Sequence, residues 1–174
     1  MRTFLILLFS FLFIHCNNDD DNEYKPLPPA TQTGEGTFAC YVDGKAFIDN
    51  SGGWFNCYYQ YVDGGYHFAI QGIEANQSMA IQLSTTSKSI SENEILEFHD
   101  DIQGNAWAVG LFRTSNVNGT PSFTGGEYTG ELHITKLDFE NHIVSGTFWF
   151  DIPHPITGDT VKIREGRFDT LFTQ

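Results

Sequence analysis

The sequence predicts an all-β fold, an antiparallel β-sandwich of about ten strands, and three observations carry that prediction. From residue 37 onward the apolar and aromatic residues fall in short runs with period-two alternation, the pattern of strands with one buried face. Those runs are bounded by Gly, Asn, Asp and Ser, and Asp-Gly at 43–44 and 63–64 stands where a tight hairpin turn needs it. Helical periodicity is nearly absent, and runs spaced about 8–15 residues apart suit short antiparallel connections rather than βαβ units. A closed β-barrel is the alternative arrangement of the same strands.

In chain order, the first expected hairpin joins 37–42 (TFACYV) to 45–48 (KAFI) around Asp43-Gly44. The second joins 54–62 to 66–73 around Asp63-Gly64-Gly65, and 79–85 and 106–113 follow as further strands. In 126–137 Leu132 and Ile134 alternate with His133 and Thr135, and in 143–152 Phe148, Phe150 and Ile152 alternate with Trp149 and Asp151. The first set of each is expected in the core and Trp149 outside it, with Asp138-Phe139-Glu140-Asn141 as the turn between. The last expected strands are 160–164 and 167–172; in the former Val161 and Ile163 point inward and Lys162 and Arg164 outward. Only 91–98 has a helical signature, a capping box of Ser91 and Glu94 ahead of Ile95 and Leu96. Nothing repeats with a period of about 20–50 residues, which argues against a propeller or solenoid.

A chain of 174 residues is sized for one domain with a single core. Its 9 basic and 22 acidic side chains leave a net charge of −13, which removes the electrostatic attraction that nucleic acid or anionic lipid requires. Met1-Arg2-Thr3 followed by an apolar run over 4–14 reads as an export signal, since eleven helical residues span about 16 Å, too short for a ~30 Å hydrocarbon core. The expected organisation is a signal peptide over 1–15, an unstructured acidic and proline-rich tether over 16–36, and a β-domain over 37–174. Asn17 to Glu23 carries four acids and no apolar side chain, and Pro26, Pro28 and Pro29 favour extended geometry in the spacer that precedes a Gly34-Glu35-Gly36 hinge.

Phe13-Ile14-His15-Cys16 resembles the lipobox of bacterial lipoproteins, with His15 where that motif usually has a small residue; the resemblance implies lipid attachment, by palmitate or a similar acyl chain, at Cys16. The acidic run behind it looks like the surface-export tag of Bacteroidota lipoproteins, which implies an outer-membrane protein exposed at the surface. With Cys16 acylated, Cys40 and Cys57 remain as a pair in a compartment that permits a disulfide, or as two buried thiols. A bridge is expected to place them on adjacent strands.

LPPATQTGEGTFACYVDGKAF (27–47), ITKLDFENHIVSGTFWFDI (134–152) and GDTVKIREGRFD (158–169) resemble an uncharacterised family of Bacteroidota lipoproteins. The resemblance covers both ends of the domain and implies a lipid-anchored β-domain; it brings no catalytic or ligand residues. Asp159-Thr160-Val161 and Asp169-Thr170-Leu171 look like the O-glycan acceptor triplets of exported proteins of that phylum.

No nucleophile elbow, zinc-helix pair, phosphate loop or EF-hand occurs, and Gly34-Glu35-Gly36 does not open a helix as a dinucleotide loop must, so no catalytic residue, cofactor or metal ligand is assigned. The six histidines, His15, His67, His99, His133, His142 and His154, have no helical ligand spacing. His99 beside Asp100-Asp101 is the one candidate for a hydrolase, and the acidic turns at Asp100-Asp101, Asp138 with Glu140, and Asp151 with Asp159 lack the dense pattern of a calcium loop. The aromatic cluster at 54–61 divides by parity into Phe55, Tyr59 and Tyr61 on one face and Trp54 and Tyr58 on the other, and the latter pair forms a candidate face for a sugar ring or an envelope protein. Cross-strand packing accounts for the same residues. The expected function is therefore a lipid-anchored binding or structural module. The alternatives are a carrier holding an apolar or sugar ligand in a barrel or aromatic cleft, and the His99 hydrolase.

Overall fold

The structure is a computed structural model that describes residues 25–52, 56–74, 79–113 and 119–174. The signal peptide, Cys16, Trp54 and Phe55 lie outside the described residues. The strands are β1 (Thr37–Val42), β2 (Lys45–Ile48), β3 (Asn56–Val62), β4 (Gly65–Ile73), β5 (Met79–Thr85), β6 (Ile95–Glu97), β7 (Ala106–Arg113), β8 (Gly119–Phe123), β9 (Gly130–Asp138), β10 (Ile143–Pro153) and β11 (Thr160–Leu171). They form two antiparallel sheets: sheet A, in the order β2-β1-β11-β10-β9-β6, and sheet B, in the order β3-β4-β5-β7-β8. The sheets face each other as a sandwich and do not close into a barrel.

Local chemistry explains the hairpins. Asp43 and Gly44 both have positive φ, 48° and 79°, and Val42 pairs with Lys45, which makes a two-residue turn whose twist matches the strands it joins. Asp63 and Gly64 repeat this between Val62 and Gly65. The β9–β10 turn is held by the Asp138 carboxylate, which accepts from the amides of Glu140 and Asn141 and from the Asn141 side chain. The Asn141 side-chain bond is the main reason that this carboxyl sits below its usual range.

The core is built from the inward parity of both sheets. Phe38, Phe47, Phe150 and Phe168 from sheet A meet Phe68, Ile70, Ile81 and Leu83 from sheet B, all essentially inaccessible. Leu132, Ile134, Phe148, Ile152, Val161 and Ile163 point inward as expected, and Trp149 points out, opposite Glu131. Two glycines let the sheets approach. A Cβ on Gly72 would stand 2.3 Å from the Phe38 ring, and one on Gly110 would stand 2.4 Å from Ile152. Aromatic rings thus fill the interior, and the barrel carrier, which needs a closed wall around a lumen, does not correspond to this fold.

Several expectations change. Cys40 and Cys57 are free buried thiols in β1 and β3, in opposite sheets, so the expected adjacency for a disulfide is replaced by a place for each in the apolar core. Burial pushes both thiols well above their ordinary range. The expected strands 160–164 and 167–172 are one strand, Thr160–Leu171, with a bulge: Glu165 adopts φ 52°, and the pairing with β10 slips between Phe148 and Phe150. Half of the capping box at Ser91 forms, with the Glu94 carboxylate accepting from the Ser91 amide at 2.8 Å, but Asn93 turns to φ 65° and the chain leaves as β6 beside β9. Strand β8 was not expected, because GTPSF has one apolar side chain besides a proline; Pro121 is tolerated there because β8 is an edge.

The tether is the largest change. Residues 25–36 lie along the outer face of sheet A instead of hanging free. Asp169 and Ser145, both fully buried, sit beneath them. The Asp169 carboxylate accepts from the Thr31 hydroxyl (2.7 Å), the amides of Thr33, Gly34 and Glu35, and the Ser145 hydroxyl (2.7 Å). Gly34 and Gly36, with φ of 79° and 71°, bend the chain around it, which is a latch and not the expected hinge. Further on, Pro28 accepts from Arg167 and Lys25 from the Tyr41 hydroxyl. The triplet at Asp169 is consequently closed to modification of the folded chain, since Thr170 is 4% exposed, whereas Thr160 is exposed.

Candidate binding face

The two outer faces differ in charge and cover. Sheet A carries nearly all the formal charge of the strands, including Lys45, Glu131, Lys136, Asp151, Lys162, Arg164, Glu165 and Arg167. Among the five strands of sheet B only Arg113, the last residue of β7, is formally charged. In a chain of net charge −13, the strands of one whole sheet thus carry a single formal charge and no acid.

On sheet A the latch covers Asp169 and leaves a cleft of about 350 Å³ between Ala30 and Trp149. Several polar groups in and beside it are engaged with one another. The Trp149 indole N–H donates to Glu131 at 3.2 Å, the Arg164 guanidinium stacks 5.4 Å from the Trp149 ring while pairing with Asp151 at 2.7 Å, and Arg167 donates to Pro28. This network is exposed, and through the Arg167–Pro28 bond it helps to hold the tether.

On sheet B the pairing places the outward side chains in rows across the strands. One row runs Tyr58, Ala69, Ser84, Trp107; the next runs Asn56, Gln71, Gln82, Val109, Phe123. Small residues floor the first row between two aromatic rings, and three amides stand side by side in the second. Trp107 and Phe123 pack at 5.9 Å, and the Trp107 indole N–H donates to Thr86, whose hydroxyl donates to Asp101, so the platform is locked. A cleft of about 240 Å³ opens here, lined among the described residues by Gln71, Gln82, Trp107, Leu111, Phe123 and their neighbours in β4, β5, β7 and β8 alone.

Tyr58, assigned from sequence to an outward aromatic face, belongs to this face and is half-buried; Trp54 lies outside the described residues. Tyr59, by contrast, is buried, and its hydroxyl accepts from the Ile90 amide. Sequence reading missed Trp107, Phe123, Gln71 and Gln82 as a group, because they come from four strands whose neighbours only the sheet order defines. His99 lies on the surface 3.7 Å from Glu97 and shares a hollow of about 290 Å³ with Lys88 and Glu94. Asp100 and Asp101 do not line it, and Asp101 is engaged by Thr86. Among the described residues no three His, Cys, Asp or Glu side chains are grouped to hold a metal ion. Comparison with protein-family models, curated proteins and solved structures found no match.

Proposed function

We propose that this chain is a lipid-anchored, non-enzymatic binding module of the cell envelope, held at the outer membrane through Cys16 and acting through the outer face of sheet B. The observation that carries the reading is the absence of acidic residues from the strands of that face: an acidic chain keeps its strand charge on the opposite sheet, apart from Arg113, and sets half-buried rings and amides side by side on this one. Such a patch marks a contact surface. The lipobox-like cysteine, the acidic tag and the resemblance to Bacteroidota lipoproteins support the anchor. The latch fits it as well, since Lys25 is fixed by Tyr41 at the β1–β2 end and nine further residues reach at most about 32 Å to Cys16.

Replacing Cys16 with Ala is expected to move the protein from the membrane fraction to the soluble fraction, because several acyl chains together hold a protein stably. Full retention in the membrane after removal of the leader overturns the anchor. A photocrosslinking residue in place of Phe123 is expected to form adducts in intact envelopes, and one in place of Lys162 is not. Equal or absent labelling at the two positions overturns the assignment of the face.

A further inference from the structure

We infer that the ligand of the sheet B face is a neutral glycan chain, lying across the strands from Tyr58 to Trp107 and Phe123. The inference rests on the binding-face reading above and adds the chemical class. A pyranose ring has an apolar C–H face and a rim of hydroxyls that both donate and accept. Aromatic rings match the first, and carboxamides, each with a donor and an acceptor end, match the second. This face supplies both in adjacent rows: Tyr58 and Trp107 at the ends of one, Asn56, Gln71 and Gln82 in the next.

The arrangement also argues against other occupants. Gln82 already donates to the Ser84 hydroxyl at 2.8 Å, which orients its carbonyl, and an apolar ligand would strip water from that carbonyl and from the Asn56 and Gln71 amides, which is unfavourable for each. A protein partner is usually met by an apolar centre with a polar rim. Here the amide row runs through the middle of the face, flanked by the Tyr58–Trp107 row on one side and by Ile73, Ala80, Leu111 and Pro121 on the other. An acidic glycan or polyanion finds one cation among the sheet B strands, Arg113 at the end of β7, and meets a chain of net charge −13. The face is long enough for a chain rather than one ring, since three strand spacings separate Tyr58 from Trp107, about 14 Å. Trp107 is already fixed by Thr86, so stacking on it requires little ordering.

The test is affinity electrophoresis of the full mature chain, made soluble by Cys16→Ala, in gels containing neutral polysaccharides (mixed-linkage β-glucan, galactomannan, arabinoxylan, dextran) or anionic ones (polygalacturonate, chondroitin sulfate). Retardation is expected with at least one neutral polymer and with neither anionic one. Trp107→Ala and Gln82→Glu should each weaken it about tenfold or more, while Trp149→Ala, on the other sheet, leaves it unchanged. Gln82→Glu keeps the outward position and the side-chain size, so its unfolding temperature verifies that the domain is intact if Trp107→Ala fails to fold. Absence of retardation by every neutral polymer overturns the glycan assignment, as does retardation that survives Gln82→Glu or is lost in Trp149→Ala. If the photocrosslinker in place of Phe123 instead captures an envelope protein and no neutral polymer binds, the glycan class is wrong while the binding face stands; if it captures nothing specific, both fall.

Discussion

Asp169 shows how one carboxylate can organise a terminus. Burial alone would raise its pKa, but the hydroxyls of Thr31 and Ser145 and the amides of Thr33 and Gly34 outweigh that and hold it down, to about 2. A group whose folded pKa is depressed stabilises the fold at pH values above its unfolded pKa and loses that contribution as pH falls toward the folded value. The Asp169 contribution is therefore complete above about pH 5, declines between about pH 4 and 2, and amounts to about 2 kcal/mol. Asp169→Asn should unfold at lower urea than the parent at neutral pH, and the difference should shrink toward pH 2. A constant difference across that range would mean that the carboxylate charge is not what matters. Residue parity in β10 makes a second prediction at this scale. Phe148→Ala and Phe150→Ala should each destabilise by about 3–5 kcal/mol, because both rings are enclosed in the core. Trp149→Ala, which removes an outward ring 36% exposed, should cost much less by thermal unfolding. If Trp149 proved the costliest, the inward face and the register of the β9–β10 hairpin would be reversed.

At the scale of elements, the sandwich depends on missing side chains as much as on present ones. Gly72 in β4 receives the Phe38 ring from β1 so closely that a methyl group has no room, with 2.3 Å to the nearest ring atom. Gly72→Ala should lower stability by about 1–3 kcal/mol in denaturant titration, the usual penalty for overpacking. Phe38→Leu in the same chain should recover part of it, and a Gly72→Ala protein as stable as the parent would show that the sheets do not meet there. The hairpins at Asp43-Gly44 and Asp63-Gly64 were legible in the sequence because left-handed turn residues between apolar runs admit few other conformations. The single strand over 160–171 was not, since Glu165 and Gly166 break the alternation at a bulge, and a bulge is stabilised by its neighbours β1 and β10 rather than by its own residues. Strand β6 fell to the same cause: the Ser91–Glu94 bond forms in a helix or a turn alike, and the free edge of β9 made the choice.

The whole molecule is a sandwich stabilised on one side by its own tether and, among the described residues, carrying a single charged strand residue on the other. A chain beginning at residue 37 keeps every strand yet loses four of the five hydrogen bonds to Asp169. It should fold with a lower Tm than a chain beginning at residue 25, by differential scanning calorimetry, and equal values would reduce the latch to a passive cover. Composition and period two determined the β class and the inward faces of β9, β10 and the start of β11, because these follow from local alternation alone. Which strands became neighbours, that Cys40 and Cys57 went to opposite sheets, that a polar tail would be drawn onto a buried carboxylate 134 or more residues away, and that Tyr58, Gln71, Gln82, Trp107 and Phe123 share one face were decided only by the tertiary structure. The physical reason is that each of these is a pairing between segments distant in sequence, whose energy exists only once both sheets have formed.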